Sequence, residues 1–361
     1  MSRRILVIGP LGEGDLAASY ARAFERLGME VVRLDSEVAM QRASRAASHR
    51  LLRRLLRPAL WNAANRAAIA AAESVRPDLI FAVKCSFFHP ETVRRIRKST
   101  GAPFVNHYPD HPYLGVRWRP KEASAQRRDL LEVFRQYSIV FMWERSLVQR
   151  LQGDGVESRL LPFALDPELF RPQPHLAEGL QCEACNTTHD VAFVAHYSRH
   201  RGGEVAAVRK HQVAIWGSNW PREWTTSSGR HRVHAPIRGS EVSGMYARAA
   251  VSLNVLNAEN LGGPNMRSFE IPGSGGVMLA RYSPEQDAYF PEGEAALYYR
   301  SPQEIDDQIE LLLRDGDLRQ RLRRNAARLA AAETYDRRAA VVLRECGLPT
   351  PALAGHRSTT V

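Results

Sequence analysis

Short apolar runs alternate with helix-length amphipathic stretches along almost the whole chain, and the alternation stops once and starts again. Ile5–Ile8 reads as a buried strand. The turn Gly9-Pro10-Leu11-Gly12-Glu13-Gly14 leads from it into a helix from about Asp15 to Leu27, closed by Gly28. Val31–Leu34, Leu79–Val83, Phe104–Asn106, Ser138–Met142 and Arg159–Pro162 read as further strands, with helical stretches such as Pro90–Lys98 between them. The proline-rich segment Leu161–Pro174 breaks the pattern. It resumes with strands at Val191–Ala195, Gln212–Trp216, Val233–His234, Val251–Val255, Val277–Ala280 and Leu297–Tyr299, and with helices near 241–248, 265–271, 302–314, 318–332 and 335–346. This spacing means βαβ units and parallel sheets. The expectation is an α/β chain of two Rossmann-like domains at 1–170 and 171–345, with a flexible tail over 346–361. Its 361 residues, 44% hydrophobic and 25% charged, suffice for two cores.

Several classes fall away. No apolar run reaches the roughly 18–20 residues of a membrane-spanning helix. The run Ile5-Leu6-Val7-Ile8 after Met-Ser-Arg-Arg is too short for a secretory signal. Cysteines at 85, 182, 185 and 346 make no disulfide framework, so a reducing cytoplasm is expected. Cys182-Glu183-Ala184-Cys185 is a CxxC with no second half and only His189 close by, which reads as a polar loop; no metal site is expected. Gly9, Gly12 and Gly14 do not have the GxGxxG spacing of a dinucleotide fingerprint. Gly12 either lets a ligand approach the helix start or only tightens the turn.

The net charge of +11 favours anionic partners. No acid lies between Glu37 and Glu73, a stretch that holds Arg42, Arg45, Arg50, Arg53, Arg54, Arg57 and Arg66. Leu51, Leu52, Leu55 and Leu56 recur there at helical spacing. The arginine-rich helix at 42–57 is either a core helix with a solvated basic side or a peripheral dock on an anionic membrane. No nucleic-acid signature accompanies the charge, and no nucleic acid is expected as partner.

Two loops carry chemistry. Leu261-Gly262-Gly263-Pro264-Asn265-Met266-Arg267-Ser268-Phe269-Glu270 frees the backbone at its glycines and then starts a helix, whose N–H groups and Arg267 suit a diphosphate. Glu270 lies three residues beyond Arg267 on the same face; the plain alternative is a surface ion pair. Asn106-His107-Tyr108-Pro109-Asp110-His111-Pro112-Tyr113 follows a strand and packs two histidines, an aspartate and aromatics into one loop. Asp110, His107 or His111 there would take an acceptor's proton or hold the acceptor, unless the loop is structural.

The Asn265-x-Arg267-x-Phe269-Glu270 run with Gly275-Gly276 after it resembles the nucleotide domain of group 1 glycosyltransferases, in particular the branch related to the spore maturation protein CgeB. Asp190–Val194, Ile215-Trp216-Gly217, Met245-Tyr246, Leu253-Asn254 and Tyr335-Asp336-Arg337-Arg338 fall in the same order, and Asp110-His111-Pro112 matches that branch's Asp-x-Pro. The likeness covers about 160–345 well. It implies a GT-B architecture with two parallel sheets facing an interdomain cleft, the donor on the C-terminal domain and the acceptor on the N-terminal one. The implied activity moves a sugar from a nucleotide-diphosphate sugar to an acceptor nucleophile, with no cofactor and no metal. The implied donor residues are Glu270 for the ribose, with Arg267, Asn265 and Gly263. Arg199 or Arg201 would face phosphate, and Ile237 and Arg238 the base. Where the wider superfamily has the first glutamate of a Glu-x7-Glu pair, this chain has Gly262, so the stereochemical outcome is not carried over. A sugar-nucleotide epimerase of the same fold, and a non-catalytic basic binding protein, are the rival readings.

Overall fold

The computed structural model describes residues 3–43, 57–114, 128–173, 180–182, 187–225, 230–256 and 262–350. The side chains of the basic stretch 42–57 lie outside the described residues, as do Cys185 and the tail beyond 350. The chain divides into two compact units, Met1–Pro162 with Tyr335–Val361, and Phe163–Thr334.

The first unit is a six-stranded parallel sheet. Its strands are β1 (Arg4–Gly9), β2 (Glu30–Asp35), β3 (Leu79–Val83), β4 (Phe104–His107), β5 (Ile139–Met142) and β6 (Ser158–Leu160), in the order β2-β1-β3-β4-β5-β6. Helices α1 (Leu16–Arg26), α2 (Ser36–Ala43), α3 (Arg57–Val75), α4 (Pro90–Thr100) and α5 (Arg145–Gly153) connect them. The central strands are continuous apolar runs, as a sheet covered on both faces requires: every residue of Leu79–Val83 is buried. Leaving β1, the chain goes first to β2 on one side and then to β3 on the other. That makes the gap between Gly9 and Val83 the topological switch point. Gly9 is what lets α1 start there, since a Cβ on it would lie 2.8 Å from that of Ala17 and 3.3 Å from that of Val83.

The second unit is also a six-stranded parallel sheet, of β9 (Val191–Val194), β10 (Val213–Trp216), β11 (Arg232–His234), β12 (Val251–Asn254), β13 (Met278–Arg281) and β14 (Leu297–Tyr299). Its order is different, β11-β10-β9-β12-β13-β14, in which two strands and not one lie beyond the first on its side of the switch point. Its helices are α6 (Arg199–Ala206), α7 (Arg222–Thr225), α8 (Gly239–Arg248), α9 (Arg267–Gly273), α10 (Pro284–Tyr289), α11 (Ile305–Arg314) and α12 (Gly316–Ala330). Val191, Phe193, Val213, Ile215, Val251 and Leu253 pack on one face against Ile305, Ile309 and Leu322.

Four expectations change. The border falls at Pro162/Phe163 instead of 170/171. The last helix, α13 (Tyr335–Glu345), joins the first unit, because Tyr335 packs on Tyr20 at 5.0 Å, Asp336 pairs with Arg26 at 2.6 Å and Arg338 donates to the Pro162 carbonyl at 3.1 Å. The segment expected as a loop around the CxxC contains a short antiparallel pair, β7 (Leu180–Cys182) with β8 (Thr187–His189). The chain after α13 also keeps structure: Leu348 N–H donates to the Leu343 carbonyl at 2.9 Å.

Candidate functional site

In the second unit the switch point lies between the ends of β9 and β12, at Val194 and Asn254. The loop after β10 passes over the end of β9 so closely that a Cβ at Gly217 would sit 1.8 Å from the Ala195 carbonyl oxygen. Ser218 on that loop meets His196 Nδ1 at 2.6 Å, and its carbonyl accepts from Tyr197 N–H at 2.9 Å. Ser198 caps α6, its Oγ accepting from Arg201 N–H at 3.2 Å.

Cations gather on this end of the sheet. Burial, then Arg267, Arg201 and Arg238 together, hold the His196 imidazole below its ordinary pKa. Arg267 Nε donates to the Val194 carbonyl at 2.6 Å, which fixes the guanidinium on the strand end at the switch point. Arg201 Nη1 donates to the His196 carbonyl at 3.3 Å. Arg238 occupies the N-cap position of α8, where a guanidinium, having no acceptor, cannot cap, and its side chain is exposed. Arg201, and not the exposed Arg199, is therefore the α6 arginine that joins the group. Ile237, half-buried, precedes Arg238.

Glu270 faces this group from α9. Burial pushes its carboxyl up to about 7, Arg267 pulls it back, and Asp166 pushes it further up. It retains some accessible surface. Arg267 reaches Glu270 through charge while its hydrogen bond goes to the sheet, which differs from a plain surface ion pair. The helix itself is only 7 residues long, so the arginines and not a helix dipole dominate the field.

Asn265 plays a different part from the one its motif implies. It is buried; its Nδ2 donates to Asn254 Oδ1 at 2.9 Å, and its Oδ1 accepts from Ser268 N–H at 3.1 Å. Ser268 Oγ in turn donates to Gln286 Oε1 at 2.6 Å. This buried network pins the start of α9 and so sets where Arg267 and Glu270 stand. Gly263 is buried beside it. Asp166, Ser218 and Gln286 escape sequence reading: Asp166 stands in a proline-rich stretch that reads as a linker, and the other two are isolated polar residues with no motif.

In the first unit the three candidate acceptor residues separate. His107 is 0% exposed, edge-on to Tyr20 at 5.5 Å, and burial pushes its pKa down to about 3, with Arg338 adding to the shift. A neutral ring sealed in the core does not reach an acceptor, so His107 is a structural residue. His111 Nδ1 accepts from Tyr113 N–H and Leu114 N–H, both at 3.2 Å. With that lone pair engaged the neutral ring carries its proton on Nε2, which removes it as a general base. Asp110 remains half-exposed, paired with Lys84 Nζ at 2.7 Å. Gly12 donates its N–H to Asp15 Oδ2 at 2.9 Å in a closed strand-to-helix turn, and the close approach belongs to Gly9. Among the described residues no group of three or more His, Cys, Asp or Glu side chains gathers that could hold a metal, and no helix is long and apolar enough to cross a membrane.

Residues 199–344, which include Arg199, Arg201, Ile237, Arg238, Arg267 and Glu270, match the family described as glycosyl transferase-like. Among solved structures the chain is similar over 95% of its length to sucrose-phosphate synthase from Thermosynechococcus elongatus, covering 98% of that chain at 14% identity with a TM-score of 0.70. The fold is GT-B. The chain is also similar to Anabaena Alr3699/HepE, solved in complex with UDP and glucose (12% identity, 95% of this chain, 100% of that one, TM-score 0.64). A glycosyltransferase from Rickettsia africae is likewise similar (10% identity, 96% and 98% covered, TM-score 0.61). No curated protein matches the sequence. The chain thus carries a glycosyl transferase-like segment on a GT-B fold; the segment covers most of the second unit and most of α13, and it includes Arg201, Arg238 and Arg267.

Proposed function

We propose that the protein transfers a sugar from a nucleoside-diphosphate sugar, held by the second unit, to an acceptor nucleophile. The observation that carries this is the convergence of Arg201, Arg238 and Arg267 on His196 at the switch point, with Glu270 as the acid beside them. Two guanidinium groups bonded to this strand end, with the charge of Arg238 acting on the same histidine, suit a diphosphate, whose charge grows as the glycosyl bond breaks. Preorganised guanidinium groups favour that departing charge without reorganisation. The Glu270 carboxylate, when ionised, accepts hydroxyl hydrogens of a ribose. Asp110 is the acceptor-side residue this reading keeps. The diphosphate sugar is a substrate, so the reading asks for no cofactor or metal. The family match over 199–344 and a neighbour solved with UDP and glucose support it. The CgeB-like branch rests on the sequence motifs.

Thermal-shift measurements with UDP-, GDP- and dTDP-sugars, followed by transfer assays with the stabilising donor, test the proposal. A melting temperature raised by one nucleotide sugar is expected. Silence from every nucleotide would favour a binding protein that keeps the fold. Conversion of the donor to its epimer would favour the epimerase.

We further propose that the run Arg42 to Arg57 docks the protein on an anionic membrane, on the cytoplasmic side that its cysteine usage suggests. Co-sedimentation with acidic but not neutral vesicles is expected, and its loss on replacing Arg53, Arg54 and Arg57 checks the assignment.

A further inference from the structure

The first unit carries a pocket of about 280 Å³ at the same edge of the sheet where ligands of such folds bind. Its walls come from four elements. Trp61 stands on α3, Ser86 and His89 on the loop after β3, and Tyr108 on the loop after β4. Asp129 and Glu132 belong to the helical turns at 128–134.

The pocket is built in advance. Lys84 and Cys85 both adopt left-handed backbone, at φ +64° and +47°, which turns the chain sharply off β3 and delivers Ser86 into the wall. The buried Asn65 then ties that loop to α3. Its Nδ2 donates to the carbonyls of Trp61 at 2.7 Å and Phe87 at 2.9 Å, and its Oδ1 accepts from His89 N–H at 3.0 Å. Ser86 Oγ and Tyr108 Oη lie 3.2 Å apart, and Tyr108 is braced edge-on against Phe134 at 5.0 Å. Two consecutive strained residues and a fully used buried amide are a costly way to shape a connector, and such cost concentrates at functional positions.

The chemistry of the lining selects among ligands. Aromatic rings beside hydroxyl groups suit a compact molecule with one apolar and one polar side. The volume lies just under the range of about 300–1,000 Å³ for drug-sized ligands, which admits one ring and not a chain or an acyl tail. Among the described residues Asp129 and Glu132 have no ion-pair partner, and both are exposed at the wall. Carboxylates there accept hydroxyl or ammonium hydrogens and repel phosphate. Building on the transfer reading above, we propose that this pocket seats a single pyranose of the acceptor, neutral or amine-bearing and not phosphorylated. Asn65 is the positioning residue that keeps its walls together.

Saturation-transfer NMR on the full chain with methyl glucoside, methyl glucosaminide and glucose 6-phosphate tests this, with UDP and GDP binding measured alongside. The two uncharged or cationic glycosides are expected to bind, and glucose 6-phosphate at least tenfold more weakly. Trp61→Ala should abolish glycoside binding. Asp129→Asn with Glu132→Gln should erase the discrimination against phosphate, and both variants should leave nucleotide affinity unchanged. Asn65→Asp, which keeps the acceptor to His89 N–H but loses the amide donor, should weaken glycosides several-fold with nucleotide affinity again unchanged. Preferred binding of the 6-phosphate, or a Trp61→Ala protein that still binds glycosides, overturns the proposal. So does a chain that binds a nucleotide and none of the three sugars. Failure of every nucleotide with glycoside binding intact would instead overturn the donor reading alone.

Discussion

Both sheets are six-stranded and parallel but differ in strand order, β2-β1-β3-β4-β5-β6 against β11-β10-β9-β12-β13-β14, and their functional edges differ in charge. At the end of β9 three arginines act on a single histidine, and the nearby carboxyl of Glu270 is itself held up to about 7. At the edge of the first sheet the exposed Lys84 is matched by Asp110 at 2.7 Å, while Asp129 and Glu132 line a pocket. The strand order determines where a ligand sits, and the loops after each strand determine the sign of charge it meets. A basic total charge conceals this division between a cationic edge and an acid-lined one.

The sharpest way to break the comparison is Arg267→Ala. A charge-assisted hydrogen bond is worth about 1.5–3 kcal/mol, so affinity for a nucleoside diphosphate should fall about 10- to 150-fold. Affinity for the nucleoside without phosphates should change little, as calorimetry would read. Equal losses for both would mean that Arg267 serves only the strand end.

Next comes Asn265→Ala. It removes the cap on Ser268 N–H and leaves Asn254 Oδ1 without its donor, a loss of about 2–3 kcal/mol in denaturant unfolding. Because the network holds α9, nucleotide affinity should fall with it.

Glu270→Gln should weaken nucleotide binding by about tenfold at pH 8, the equivalent of about 1.4 kcal/mol. The gap should narrow at pH 6, where the native carboxyl is itself mostly protonated. Stability should move the other way. The folded-state pKa of Glu270 is raised from 4.5 to about 7, so its contribution is full at acid pH and is lost as pH rises between those values. The glutamine variant should therefore melt above the native protein at pH 8, and this margin should shrink toward pH 5.

His107 gives the opposite slope. Its folded pKa is lowered from 6.5 to about 3, so stability present above 6.5 is lost as pH falls between the two values. His107→Gln should flatten part of that acid loss without touching nucleotide affinity; a changed affinity would return His107 to the binding site. The smallest effect belongs to the Lys84–Asp110 pair, whose side chains are 50% and 44% exposed. Lys84→Ala should cost under about 1 kcal/mol, less at high salt.

Much of the fold was legible because buried parallel strands are continuous apolar runs: Leu79–Val83 and Val251–Asn254 stand where their sequences put them. Strand order was not legible, since crossovers leave no mark in local periodicity. Arg267 and Glu270 could be singled out as candidates through their motif and spacing. Asn265 shares their motif but turns inward, because whether a short polar side chain meets a ligand or a neighbour depends on residues such as Gln286, distant in sequence. The loop at 106–113 misled in part for the same reason. Residue type suggests catalysis, whereas His107 ends a strand and points into the core.

The return of α13 to the first unit bears on how the protein is made. Phe163–Thr334 is one continuous stretch, complete once those residues have left the ribosome. The first unit is not, although all six of its strands are synthesised earlier. Until Tyr335 and Asp336 emerge, the Tyr20 ring, which also packs on Phe81, and the guanidinium of Arg26 lack the partners that α13 brings to α1. The usual order, in which the N-terminal domain folds first during synthesis, is thereby reversed for the finished state. A ribosome stalled near residue 334 would carry a completed second unit and an unfinished first one, the form most open to chaperone capture.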